Sequence, residues 1–169
     1  PLTNKCQGQS LTYFHGEIKK LDFSGLKLKF NDMEIKSKLL GKFNAYNLLA
    51  VWSASSLLGF NMEKVKKILE NIEPPAGRFQ HFTSLGGVLV IGDYAHTPDA
   101  LKKILLTVRE IKNKNSRLIS IFGCGGDRDP LKRPIMGKLG ANLSDIAIFT
   151  SDNPRSENPN KIIEQMKEG

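Results

Sequence analysis

The chain has 169 residues, of which 40% are hydrophobic and 25% are charged, a composition that is ordinary for a folded globular protein and excludes a disordered one. Its longest apolar stretches, such as residues 86–91, are too short to cross a bilayer, and its first residues do not resemble a signal peptide. We therefore expect a cytoplasmic protein with no membrane partner. Cys6 and Cys124 lie far apart in the sequence and are expected to be free thiols.

The net charge of +8 raises the question of nucleic-acid binding. Residues 1–75 contain 11 Lys and Arg against 7 Asp and Glu, and residues 76–169 contain 14 against 10, with no block of like charge. Proteins that bind nucleic acid usually concentrate their basic residues on one face. The even distribution therefore predicts a solvated, lysine-rich surface and no nucleic-acid partner.

The first half of the chain is predicted to combine antiparallel hairpins with two helices. Residues 26–30 alternate between apolar and basic side chains, which is typical of a half-buried strand. Helices are expected over residues 44–58 and 62–71, with Asn44 and Asn61 as their N-caps. The predicted strands cover residues 11–14, 18–23, 26–30 and 33–39.

The second half is predicted to alternate strands with helices after a break at residues 73–77, where two prolines indicate a domain boundary. Short apolar strands separated by helices predict α/β architecture with a parallel sheet and right-handed crossovers. Three such units are fewer than an open doubly wound sheet needs, so we expect an internal piece of a longer protein. The expected elements are a buried strand at 88–92, a helix at 98–112, a strand at 117–122, a helix at 135–142, a strand at 146–150 and a helix at 159–167.

Four segments with chemically active side chains follow or adjoin these strands. Because the carboxyl ends of parallel strands meet at one edge of a sheet, we expect the segments to converge there. In the first of them, Asp93 and His96 are not needed to start the next helix, and a carboxylate beside an imidazole suits the ribose of a nucleotide; a purely structural role is the alternative. The segments are residues 93–98, 123–129, 132–134 and 152–155.

The later segments suit an anionic or amino-acid ligand. The glycine run at residues 123–126 is a weak signal, found more often in tight turns than in phosphate sites. Arg128, flanked by two acids, could be held in place to bind a carboxylate or a phosphate, or it could belong to a surface ion-pair cluster. Asp152, Asn153 and Arg155 offer an acceptor, an amide and a bidentate cation, which suit a ligand with an amine and a carboxylate, although an ordinary Asn-Pro turn would explain part of the pattern.

Asn44, Asn47 and Arg78 are further candidates. Asn47 has poor helix propensity, so its place in a predicted helix, one turn after Asn44, suggests hydrogen bonding to a ligand such as a purine. Arg78 follows the proline break and is either simply exposed or reaches an ATP phosphate when two lobes close.

Taken together, these segments resemble those of the Mur ligase family, and within it the members that add the third residue of the peptidoglycan stem peptide. The resemblance covers nearly the whole chain from about Leu39 onward. Five segments carry it, in order: Gly41-Lys-Phe-Asn-Ala-Tyr-Asn47, Ala76-Gly-Arg78, Asp93-Tyr-Ala-His-Thr-Pro98, Gly123-Cys-Gly-Gly-Asp-Arg128 and Asp152-Asn-Pro-Arg155.

The resemblance implies an ATP-dependent amide ligase of cell-wall synthesis, on which cell shape and division depend. It implies that residues 1–76 end a central ATPase domain of hairpins and helices, and that residues 77–169 begin a Rossmann-like C-terminal domain with a parallel sheet. The residues it places at the nucleotide are Asn44, Asn47, Arg78, Asp93 and His96. The residues it places at the incoming amino acid are Arg128, Asp152, Asn153 and Arg155.

The family's P-loop, Mg²⁺ ligands and UDP-binding domain are expected before this segment, and the rest of its amino-acid pocket after it. We therefore expect no complete catalytic set and no metal site in these residues, and no turnover by this piece alone. The resemblance implies ATP and Mg²⁺ as cofactors, UDP-N-acetylmuramoyl-L-alanyl-D-glutamate and a diamino acid as substrates, and a monomer.

Arg155 favours meso-diaminopimelate among the diamino acids, because the second carboxylate of that substrate needs a cation. Lysine and ornithine remain open. Folylpolyglutamate synthases and cyanophycin synthetases share the Asp-Tyr-Ala-His type of segment and are the nearest enzyme alternatives, although segments 123–128 and 152–155 argue against them. A nucleotide-binding module without ligase activity is the alternative from another class.

Overall fold

The computed structural model describes residues 2–4 and 14–169, and it confirms the predicted α/β class. The chain packs as two compact units, Pro1–Asp93 and Tyr94–Gly169. Within the described ranges, none of the helices combines the length and the apolar character that crossing a membrane requires.

The first unit is built on a four-stranded antiparallel sheet whose strands follow chain order. The predicted alternation is confirmed, because Leu26, Leu28 and Phe30 are buried, and Asn31 makes the following turn with a left-handed backbone (φ 50°). The last predicted strand ends two residues early, and residues 11–13 of the first one lie outside the described residues. The strands are β1 (Leu2–Asn4), β2 (Phe14–Asp22), β3 (Gly25–Phe30) and β4 (Met33–Ser37).

Two helices, α1 (Lys42–Leu57) and α2 (Met62–Asn71), pack against the apolar face of this sheet. Asn61 caps α2 as predicted, since its side chain accepts a hydrogen bond from a backbone amide of the first turn at 3.0 Å. The predicted cap of α1 is wrong: Gly41 occupies the N-cap position, and Asn44 lies inside the first turn. Gly41 has a φ of 86°, a conformation that glycine adopts without steric cost. The shared core includes Leu28, Ile35, Leu49, Trp52 and Leu69.

A two-stranded antiparallel hairpin ends the first unit, formed by β5 (Gln80–Thr83) and β6 (Leu89–Gly92). The apolar run at residues 88–92 was predicted to be a buried strand of the parallel sheet, and this is wrong on both points. β6 pairs with β5 in the antiparallel sense, and its residues alternate between half-buried and exposed. Period and apolarity do not reveal the partner strand, and β5 was not predicted because only Phe82 in it is strongly apolar.

The second unit packs three helices against a parallel pair of strands. β7 (Ile119–Phe122) and β8 (Ile146–Phe149) run parallel, which confirms the predicted parallel sheet. The helices are α3 (Pro98–Ile111), α4 (Lys132–Leu143), which begins three residues earlier than predicted, and α5 (Pro159–Lys167). The buried residues of this core are Leu101, Leu105, Cys124, Met136, Ile162 and Met166.

The exposed side chains of the β7–β8 pair are all isoleucines, at positions 119, 121, 146 and 148. Ile121 is 67% exposed and Ile148 is 44% exposed. Parallel sheets are normally covered on both faces, so this face has the apolar character of a surface that other elements cover.

Candidate functional site

Two loops meet at the carboxyl edge of the β7–β8 pair. The β7–α4 loop (residues 123–131) and the β8–α5 loop (residues 150–158) follow the two paired strands. The Gly126 amide donates to the Asn153 carbonyl oxygen at 2.9 Å, and Arg155 Nη1 donates to the Gly126 carbonyl oxygen at 2.7 Å. The edge therefore brings together three of the predicted segments, residues 123–129, 132–134 and 152–155.

The glycines of the β7–α4 loop allow the two loops to touch. A Cβ on Gly126 would overlap the Pro154 carbonyl oxygen, and one on Gly123 would lie 2.5 Å from the Thr150 carbonyl oxygen. Neither glycine has a positive φ, so the turn itself does not require them. Close backbone approach, rather than a tight turn, explains the glycine run.

Replacing Gly126 with alanine is therefore expected to push the loops apart. Overpacking of this kind costs about 1–3 kcal/mol, which should speed amide hydrogen exchange in β7 and β8 roughly 5- to 150-fold. Gly86→Ala is the matched control, because a Cβ there would meet only Ser84 Oγ at 3.8 Å. Equal exchange in both variants would contradict the close-approach account.

Each loop contains one residue with a left-handed backbone. Asp127 has a φ of 51° and Arg155 a φ of 49°, and such a conformation costs of order 1–2 kcal/mol for a residue other than glycine. Hydrogen bonds hold both: the Asp127 carboxylate accepts from Ser156 Oγ at 2.6 Å and from the Ser156 amide at 3.2 Å, and the Arg155 amide donates to Asn153 Oδ1 at 3.1 Å. The hydrogen bond from Ser156 Oγ is the main reason that the pKa of Asp127 is lowered.

An ion pair between a buried arginine and a partly exposed glutamate joins α4 to the β8–α5 loop. Arg133, at the start of α4, is only 1% exposed and donates from Nη1 and Nη2 to the two carboxylate oxygens of Glu157 at 2.8 and 2.7 Å. These bonds, followed by one from the Asp127 amide, lower the pKa of Glu157 to about 2. The sequence prediction missed the pair. One available signal was that Lys132 and Arg133 stand in the first turn of α4, where cations are unfavourable beside the positive end of the helix dipole.

Four predicted ligand residues lie on the solvent side of these loops. All four are exposed: Arg128, Asp152, Asn153 and Arg155. The bond to Gly126 fixes the guanidinium of Arg155 close to the β7–α4 loop, which also carries Arg128. Two cations, a carboxylate and an amide at one edge can bind a ligand that has both carboxylate and ammonium groups.

His96 lies next to the same edge. Lys132 Nζ donates to the His96 carbonyl oxygen at 2.9 Å, which joins the start of α4 to the segment before α3. The exposed imidazole places Nδ1 3.1 Å from the Tyr94 carbonyl oxygen, and its ring centroid lies 5.3 Å from that of Tyr94. Thr97 caps α3 as predicted, accepting from the Ala100 amide at 3.3 Å.

The other predicted nucleotide residues belong to the first unit. Asp93 Oδ2 accepts from the Phe79 amide at 2.8 Å, which ties the end of β6 to the residue after the exposed Arg78. Asn47 Nδ2 donates to Asn44 Oδ1 at 3.2 Å, while Asn44 Nδ2 donates to a backbone carbonyl before the helix. The two asparagines thus form one hydrogen-bonded group at the start of α1.

The described residues provide no metal centre. No group of three His, Cys, Asp or Glu side chains in this part of the chain could hold a metal ion.

Residues 77–169 match the family model described as Mur ligase, glutamate ligase domain. A curated UDP-N-acetylmuramoyl-L-alanyl-D-glutamate–2,6-diaminopimelate ligase of Bacteroides thetaiotaomicron is 46% identical over 161 residues, which is 95% of this chain and 33% of the relative. The chain thus spans about a third of the length of the curated relatives it matches.

Two solved structures show the same fold. A UDP-N-acetylmuramoyl-L-alanyl-D-glutamate–2,6-diaminopimelate ligase matches with a TM-score of 0.68 and 32% identity, over 96% of this chain and 34% of its own. A folylpolyglutamate synthase from Thermotoga maritima matches with a TM-score of 0.69 but only 17% identity, over 91% and 37% of the two chains. Fold alone therefore does not separate these two enzyme classes.

Proposed function

This chain belongs to the Mur ligase family, and we propose that it forms part of an ATP-dependent ligase of peptidoglycan precursors. In the proposed reaction, a carboxylate of UDP-N-acetylmuramoyl-L-alanyl-D-glutamate attacks the γ-phosphate of ATP and releases ADP. The amine of a diamino acid then attacks the acyl phosphate, forms the amide and releases phosphate. The observation that carries the proposal is the pairing of the β7–α4 and β8–α5 loops, which presents two arginines, a carboxylate and an amide at one edge.

These four side chains form the amino-acid side of the proposed site. Asp152 and Asn153 offer oxygen atoms to an ammonium group, and Arg128 and Arg155 offer paired N–H donors to carboxylates. Two arginines suit meso-diaminopimelate better than they suit lysine, because meso-diaminopimelate has two carboxylates and lysine has one. The curated relatives are named as 2,6-diaminopimelate ligases, which supports the same substrate.

Five residues are proposed to form the nucleotide side of the site. Asp93 and His96 are proposed to contact the ribose, the Asn44–Asn47 group the adenine, and Arg78 the phosphates. Holding the nucleotide and the acyl phosphate away from water is what domain closure achieves in such enzymes. Mg²⁺ would act through ligands outside the described residues.

The proposed setting follows from the substrates. A reaction that uses ATP and UDP-linked precursors belongs in the cytoplasm, and we propose that the protein acts as a monomer.

A folylpolyglutamate synthase-like or cyanophycin synthetase-like ligase is the second candidate, because a folylpolyglutamate synthase shares the fold. The proposed roles of Arg128 and the Asp152–Arg155 segment argue against it, because these residues suit a diamino acid with a second carboxylate. A nucleotide-binding module without ligase activity would leave this arrangement without a purpose.

ADP release by the full-length protein that contains this chain tests the proposal. We expect ADP only when UDP-N-acetylmuramoyl-L-alanyl-D-glutamate and a diamino acid are both present, because the acyl phosphate forms on the first and is consumed by the second. Folate with glutamate serves as the comparison. ADP release with folate and glutamate, and none with the muramoyl substrate, would overturn the assignment.

A further inference from the structure

Arg133 is the only charged side chain that is buried among the described residues, while its partner Glu157 is 30% exposed, and neither has a role in the proposed reaction. Arg133 Nη1 also donates to Gln165 Oε1 at 2.6 Å, and Nη2 lies 3.4 Å from the Gly125 carbonyl oxygen. Arg133 Nε has no partner within the described residues. The guanidinium thus contacts α5 and both loops at once.

Stability alone does not explain why an ion pair occupies this position. Burying a guanidinium costs desolvation that attraction to one carboxylate seldom exceeds, and an apolar side chain of similar volume is often at least as stable. Met136, also buried on α4, already belongs to the apolar core of this unit. A fixed geometry is what the pair adds, because a guanidinium and a carboxylate meet in one planar arrangement.

That geometry reaches the loops through Glu157. Its Oε1 accepts from the Asp127 amide at 2.6 Å as well as from Arg133, so it connects α4 to the left-handed residue of the β7–α4 loop. Asp127 in turn accepts from Ser156, the neighbour of Glu157 in the β8–α5 loop. Each loop therefore contains a carboxylate that accepts hydrogen bonds from the other loop. Arg133 holds one of these carboxylates, that of Glu157.

In the sequence, each exposed arginine is next to a residue that connects the two loops. Arg128 follows Asp127, and Arg155 precedes Ser156. We propose that Arg133 and Glu157 are positioning residues that set the spacing of Arg128 and Arg155 for the two carboxylates of the amino-acid substrate, an inference that rests on the proposed function. Arg133 and Glu157 do not touch the substrate themselves.

The test compares Michaelis constants of the full-length ligase. Arg133→Met removes the charge at similar volume, and Glu157→Gln keeps the volume and an acceptor for the Asp127 amide. Both variants should raise the KM for meso-diaminopimelate about tenfold or more, while the KM values for ATP and the muramoyl substrate stay within about twofold. The double variant should be no worse than Glu157→Gln, because that single variant leaves the buried charge of Arg133 without its carboxylate partner. Arg133→Lys should recover only part of the loss, since lysine lacks the fork.

Lys167→Met with Glu164→Gln is the matched control, because it removes an ion pair of α5 whose side chains are 57% and 66% exposed. Circular dichroism and the midpoint of thermal unfolding report whether each variant is folded. If Arg133→Met does not fold, Glu157→Gln and Arg133→Lys carry the same comparison.

A purely structural pair would lower the unfolding temperature and the amount of active enzyme but leave the KM for meso-diaminopimelate unchanged, and that result would overturn the inference. The proposed function fails separately, if the wild-type protein ligates no diamino acid at all.

Discussion

Replacing Arg155 with alanine should raise the KM for meso-diaminopimelate in the full-length protein by at least tens-fold and leave that for ATP nearly unchanged. Losing one partner of a desolvated charge pair costs about 2–5 kcal/mol, or roughly 30-fold to several thousandfold in apparent affinity. The substitution also removes the hydrogen bond of Arg155 to the Gly126 carbonyl oxygen, so the β7–α4 loop loses a contact as well. Steady-state kinetics with each substrate varied in turn measures the effect.

Comparing two amino-acid substrates distinguishes the loss of the contact between Arg155 and the substrate carboxylate from the loss of its contact with Gly126. Any activity with lysine should fall much less in Arg155→Ala, because lysine lacks the second carboxylate. Arg117→Ala is the matched control, since Arg117 is exposed and lies before β7, at the opposite end of the strand. A variant at Arg155 that uses meso-diaminopimelate as well as wild type would contradict the proposed role.

Replacing Asp93 with alanine should weaken the use of ATP while leaving the KM for the amino acid within about twofold. A hydrogen bond to a charged group contributes about 1.5–3 kcal/mol, so the KM for ATP is expected to rise roughly 10- to 150-fold. Asp93→Asn distinguishes the two possible roles, because an amide oxygen can still accept from the Phe79 amide but has no charge to offer the nucleotide.

Asp99→Ala is the control for Asp93. Asp99 is exposed in the first turn of α3 and pairs with the equally exposed Lys103 at 2.7 Å. If Asp93 serves only to hold Phe79, Asp93→Asn will behave as wild type, and Asp93→Ala will lower the unfolding temperature without changing the KM for ATP.

Local patterns were enough to predict most elements of the fold. The alternation in β3, the cap residues Asn61 and Thr97, and the apolar strands before the β7–α4 and β8–α5 loops are local features, and all are confirmed. The errors have two different causes. β5 has one strongly apolar residue and depends on pairing with β6. The error at α1 is local, because the N-cap is Gly41 rather than Asn44, three residues later.

One rule of topology was enough to predict part of the candidate site. Loops after neighbouring parallel strands must lie side by side, so the meeting of segments 123–129 and 152–155 followed from their places in the sequence. The reason for Gly126 could not be found in the same way, because the obstructing atom is the carbonyl oxygen of Pro154, 28 residues later. Arg133 and Glu157 are likewise paired only by the fold.

The identity of the amino acid joined to the muramoyl substrate tests the central claim most directly. The full-length protein would be given ATP, UDP-N-acetylmuramoyl-L-alanyl-D-glutamate and equal concentrations of meso-diaminopimelate, lysine and ornithine. Mass spectrometry would then measure the mass of the product. The arrangement of Arg128 and Arg155 predicts a product that contains diaminopimelate. A product that contains lysine or ornithine would contradict the two-carboxylate site, and the absence of any product would contradict the ligase itself.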